Sequence, residues 1–163
     1  MISIKRNPFN LTILIIVATI VVGIGASIAS SAVEKDVTIH LSGSLLRDGK
    51  TISLDPSVIA NSNEVITYEL KSTNTGLPVN NFRVVGQIPA GTALIKESAD
   101  NQNAKVAYSL DGQTFSADPQ IQIVDDGQRK MVSAPVSSYR AVAFNLNDGF
   151  QGQSDLHYQV KVK

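Results

Sequence analysis

The residues able to do chemistry are few and scattered. His40 and His157 are the only histidines, and the chain has no cysteine. Thiol catalysis and thiolate metal sites are thereby excluded. Each histidine sits beside apolar neighbours on an alternating run, at a position expected to face solvent. No His-x-His spacing occurs, so no zinc site is expected. Asp125-Asp126-Gly127 resembles a fragment of a calcium loop. A full loop needs further oxygen ligands at fixed spacing, and Gln128-Arg129-Lys130 brings cations instead, so a solvated turn is expected. Asp100, Asp111 and Asp118 stand at loop ends and would join that turn only if the fold gathered them. Serine is abundant, yet no Gly-x-Ser-x-Gly elbow occurs and no serine has an evident histidine and acid partner. Carboxylate pairs for glycoside hydrolysis come from distant strands, so spacing does not address them. Aromatic content is 6% with no Trp, which weighs against a sugar-stacking platform. No catalytic, cofactor-binding or metal-ligating residue is nominated, and the chain is not expected to be an enzyme.

Charge and hydropathy say where such a chain goes. Lys5 and Arg6 are the only charged residues before Val33, so the remainder carries a net charge of −2. A mildly acidic domain has no electrostatic footprint for nucleic acid. The two cations precede an apolar run from Leu11 to Val22, and then Gly23, Gly25, Ala26, Ser27, Ala29, Ser30, Ser31 and Ala32. A basic start, an apolar middle and a small-residue end are the parts of a secretory signal peptide. Ser27-Ile28-Ala29 and Ser30-Ser31-Ala32 fit cleavage after Ala29 or after Ala32. The alternative is a retained apolar helix, because Leu11 to Ala29 is uncharged and about 17–25 apolar residues span a bilayer. Gly and Ser in the last third weigh toward cleavage. Both readings export everything after Val33. Residues 1–32 are thus read as signal peptide or anchor, and 33–163 as one domain.

The exported part must hold its residues on strands. No helix-period apolar face of useful length follows Ala32, whereas period-two alternation recurs in short runs between Gly, Asn, Asp and Pro. The runs are Val37–Leu46, Thr51–Leu54, Glu64–Ser72, Phe82–Ile88, Thr92–Glu97, Lys105–Leu110, Gln113–Ser116, Ile121–Val124, Lys130–Ser133, Tyr139–Leu146 and Leu156–Lys163. Asp48-Gly49 and Asp111-Gly112 predict tight hairpins. Asn74-Thr75-Gly76 and Pro89-Ala90-Gly91 predict turns. In the last run Leu156, Tyr158, Val160 and Val162 face one side, and His157, Gln159, Lys161 and Lys163 the other. About seven to ten short strands with one wet face each indicate an all-β antiparallel sandwich or barrel.

Several blocks then resemble a known family. Tyr68-Glu69-Leu70-Lys71-Ser72-Thr73-Asn74-Thr75-Gly76, Asn81-Phe82-Arg83-Val84-Val85-Gly86-Gln87-Ile88-Pro89-Ala90-Gly91-Thr92 and Tyr108-Ser109-Leu110-Asp111-Gly112-Gln113-Thr114-Phe115 occur in the family's order. Ala141-Val142-Ala143-Phe144 and Tyr158-Gln159-Val160-Lys161-Val162-Lys163 follow as its final strands. From about Asn63 to Lys163 the chain is similar to a conserved repeat domain of unknown function in bacterial and archaeal cell-surface proteins. One departure stands out: the acid that usually precedes the Pro-Ala-Gly turn is missing, and Gly86-Gln87 takes its place. The resemblance implies an immunoglobulin-like sandwich and a cell-envelope setting. It implies no activity.

The leading expectation is an exported, non-catalytic module of the periplasm, cell surface or medium, acting in structural spacing or protein–protein adhesion. Its partner would be another envelope protein, with membrane contact only through residues 11–29 if these are retained. One alternative is an assembly subunit that exchanges a strand, with Leu156–Lys163 as the connector were it an edge. Another is a calcium- or small-ligand-binding domain.

Overall fold

A computed structural model describes residues 37–99 and 101–163. The expected export helix in residues 1–32 lies outside the described residues, as does Asp100. Among the described residues, no helix is long and apolar enough to cross a membrane.

The chain is all-β with antiparallel sheets. Among the described residues ten strands follow in order: β1 Val37–Arg47, β2 Lys50–Ser53, β3 Val65–Val79, β4 Arg83–Gln87, β5 Thr92–Ile95, β6 Ala104–Ser109, β7 Gln120–Asp125, β8 Gln128–Ser133, β9 Ala141–Leu146 and β10 Phe150–Val162. Five strands form one sheet in the order β2-β1-β3-β10-β5, three form another as β4-β9-β6, and β7-β8 make a separate hairpin. Alternation sorts the faces as expected. Ile66, Tyr68 and Leu70 of β3, and Leu156, Tyr158, Val160 and Val162 of β10, are buried, whereas Glu69, Lys71, His157 and Lys161 are exposed. Val84, Tyr108, Val142 and Phe144 of the three-stranded sheet join these in one apolar cluster. Burial of that shared cluster is the main force holding the two sheets to each other.

The hairpin turns have local causes. Asp48-Gly49 and Asp126-Gly127 have φ of 51° and 73°, and of 49° and 75°, the paired left-handed conformation of a two-residue hairpin turn. Asp111-Gly112 does not open the expected hairpin. The segment Gln113–Ser116 forms no strand and returns to β6 through a single bridge, Tyr108 to Ser116. Asp111 accounts for the difference, since its carboxylate collects the backbone N–H groups of Gln113 and Thr114 at 2.7 Å each and holds a wider turn.

Asn74-Thr75-Gly76 is a second correction. β3 runs through it to Val79 and stays paired with β10 across an irregularity between Phe150 and Gly152. Asn74 is only 2% exposed. Its amide donates to the carbonyls of Phe150 at 2.8 Å and Leu77 at 2.9 Å, and its carbonyl accepts from Gly76 N at 3.0 Å. The side chain pairs the main-chain groups that the bulge strands, so a turn-forming residue serves within a long strand. The strands are accordingly not all short: β3 has 15 residues and β10 has 13.

Gly86 leaves no room for a side chain. A Cβ there would lie 2.3 Å from Cε1 of Tyr158. The Tyr158 ring passes directly against the β4 backbone, stacks on Tyr68 with centroids 5.2 Å apart, and donates its hydroxyl to Gln87 O at 2.7 Å.

Candidate functional site

The outward face of the three-stranded sheet carries a polar row. Pairing registers Arg83 of β4 with Asn145 of β9, and Asn145 with Lys105 of β6. Their neighbours along the strands, Val84, Phe144 and Val106, belong to the core or pack against it, so alternation turns the row outward. Asn145 is the pivot. Its Oδ1 accepts from Arg83 Nε at 2.6 Å, and its Nδ2 donates to Lys105 O at 3.0 Å. The Arg83 guanidinium also lies over the Phe115 ring, 5.4 Å from the centroid. Its orientation is therefore set from two sides. Among the described residues, neither Arg83 nor Lys105 has a carboxylate within ion-pair distance.

A hollow of 460 Å³ opens over this row, lined also by Asn81, Asn147 and Asp148. The turn between β9 and β10 forms its wall. That turn is latched to the loop before β4: Asn81 N donates to Asp148 Oδ1 at 3.0 Å, and Gly149 N to Asn80 Oδ1 at 2.8 Å. A second hollow of 240 Å³ shares Leu146, Asn147 and Asp148 with the first and is lined also by Asn103, Gln151, Gln153 and Ser154. The larger hollow has cations and amides in its lining, and the smaller has amides without a cation.

The residues considered from sequence lie elsewhere. His40 and His157 are exposed on the outward face of the five-stranded sheet, as expected. His40 is registered with Lys71, and His157 with Glu69. Asp125, Asp126 and Gly127 turn the β7–β8 hairpin, and Asp125 pairs with Lys130. Asp118 accepts from Ser133 Oγ at 2.8 Å. Among the described residues, no group of three His, Cys, Asp or Glu is close enough to hold a metal ion.

The perturbed acids are tied into turns. Glu64 accepts from Arg47 Nε at 2.6 Å and Arg47 Nη2 at 2.8 Å, and from Asn61 N at 2.7 Å. Arg47 foremost holds its carboxyl down at about 2. Thr114 N, Gln113 N and the Ser109 hydroxyl hold Asp111 well below the usual carboxylate range. Ser57 lowers Asp55 in the same way, through its hydroxyl first and then its N–H.

No protein-family model, curated protein or solved structure matches the chain. The Arg83–Asn145–Lys105 row was not singled out from sequence. The alternation of Arg83, Val85 and Gln87 against Val84 is visible there, but the side-by-side placement of residues 62 and 40 positions apart depends on register.

Proposed function

We propose that the chain is an exported, non-catalytic module of the cell envelope or surface, acting in structural spacing or protein–protein adhesion. The observation that carries this is the use made of its perturbed carboxylates. Glu64, Asp111 and Asp55 all have lowered pKa values and all accept hydrogen bonds from nearby turn or strand residues. Acid catalysis needs the opposite shift, a carboxyl kept protonated near neutral pH. These acids stiffen loop ends, which suits a rigid presenter of surfaces.

The strand layout supports an immunoglobulin-like sandwich. The order β1-β3-β10-β5 beside β4-β9-β6 parallels the four-plus-three frame of that fold, with β2 added at one edge. The chain path differs, because the places of the last three strands are visited in reverse. The basic start and apolar run before Val33, and the resemblance from Asn63 to Lys163, support the envelope setting. The strand-exchange reading loses its premise, since β10 lies between β3 and β5 rather than at an edge. In-cell cross-linking with mass spectrometry of the captured species and of the N-terminus tests the proposal. A dominant envelope partner, with a mature start at Ser30 or Val33 or with an intact apolar run, is expected. Recovery of the protein in the cytoplasm, bound to cytoplasmic proteins, would overturn it.

A further inference from the structure

We infer that the twin hollows beside the β9–β10 turn bind an acidic saccharide, with a uronate-type carboxylate seated between Arg83 and Lys105. This goes beyond the spacing or adhesion role and stands without it, because binding in solution does not depend on export. Three observations carry it.

The first is an unsatisfied, oriented positive charge. Arg83 is held by Asn145 at 2.6 Å and by the Phe115 ring and lines the hollow, and among the described residues no ion-pair partner takes its terminal nitrogens. A guanidinium held this way is pre-organised for a planar carboxylate. Lys105 adds a second cation from β6, on the far side of β9. Asp148 lies in the same lining, so the net charge suits a monoanion better than a phosphate dianion.

The second is the amide lining. Asn81, Asn147, Asn103, Gln151 and Gln153 surround the two hollows. Each side-chain amide both donates and accepts, which is what a ligand rich in hydroxyl groups requires. The apolar lining consists of Leu146 and Phe150, exposed by only 7% and 8%, so the side chains of a peptide would find no pocket. The third is shape. Adjoining volumes of 460 and 240 Å³, with Leu146, Asn147 and Asp148 in both linings, suit consecutive rings of a chain rather than a single small ion.

Titration calorimetry on the full chain with hexagalacturonate, maltohexaose, hexaglutamate and inorganic phosphate tests this. Hexagalacturonate is expected to bind, at least tenfold more tightly than the other three, and more weakly as salt rises from about 50 to 200 mM. Arg83→Gln is expected to weaken that binding at least tenfold, and Lys105→Gln severalfold. Lys105 is exposed, so its variant keeps the test decisive if Arg83→Gln melts early. Absence of binding, binding undiminished in Lys105→Gln, or equal affinity for hexaglutamate or phosphate would overturn the inference.

Discussion

Replacing Gly86 by alanine should cost far more than a methyl group normally does. The new Cβ would stand 2.3 Å from Cε1, 2.8 Å from Cζ and 3.0 Å from the hydroxyl oxygen of Tyr158. Those atoms belong to a rigid ring, not to the end of a flexible chain. Tyr158 is 2% exposed, so the ring has no free space to enter, and Tyr68 is stacked on it. Overpacking of this kind costs about 1–3 kcal/mol. If the ring tilts away instead, its bond to Gln87 O is stretched, and an unpaired buried polar group costs about 1–3 kcal/mol. Gly86 has no positive φ, so alanine recovers about 0.4–1 kcal/mol of unfolded-chain entropy. A Cβ this close to an enclosed ring puts either cost at the upper end of its range, so the balance is a loss of about 2–2.6 kcal/mol, or roughly 6–12 °C in Tm for a domain of this size. Urea unfolding followed by circular dichroism measures it directly. A double-mutant cycle with Tyr158→Leu isolates the contact. In that background Gly86→Ala should lose most of its effect. Gly86→Asp should be worse still, because it buries a carboxylate in the same place. A Gly86→Ala protein within about 0.5 kcal/mol of wild type, or an additive cycle, would refute the reasoning.

Other expectations rest on separate parts of the fold. Asn74→Ala should destabilise by about 2–3 kcal/mol in chemical denaturation, since it leaves two carbonyls and one N–H near a bulge without their partner. Glu64 is held down at about 2 against an ordinary 4.5, so its contribution is fully present above about pH 4.5 and is lost as pH falls toward 2. Glu64→Gln should therefore differ from wild type at pH 7 and converge on it in acid melts; a constant difference across that window would contradict the assignment. Deleting residues 156–163 should abolish the cooperative thermal transition, because β10 is interior to its sheet and supplies Tyr158, Val160 and Val162 to the core. A truncated chain with a wild-type melt would show the strand to be peripheral.

Much of the fold is legible in the residues themselves. β1, β3 and the latter part of β10 fall on runs whose alternation marks a buried and a wet face. Asp48-Gly49 forms the tight turn expected of it, with left-handed φ at both residues. The errors occur where a side chain rather than the backbone decides. Asp111 gathers two N–H groups into a wider turn, and Asn74 mends a bulge where a turn was expected. Both residues have the local chemistry of turn formers, and only their distant or wrapped partners show which use is made of it. The candidate hollow was illegible for a related reason. Arg83, Lys105 and Asn145 are ordinary outward-facing residues of separate strands, with no motif among them.

The sequence by itself determined the class of structure, the inward and outward face of several strands, the tight turn at Asp48-Gly49, the solvated turn at Asp125-Asp126-Gly127, and the absence of any cysteine chemistry. These follow from period-two patterning and from φ preference, which act between neighbours in the chain. The tertiary structure decided the rest. It put β10 in the middle of a sheet, made Gly86 indispensable to Tyr158, and lined up Arg83, Asn145 and Lys105. Gln87 and Tyr158 are 71 positions apart, and Asn74 and Phe150 are 76 apart. Contacts at such separation are set by strand register and by which faces share a core, and neither is encoded within any single run.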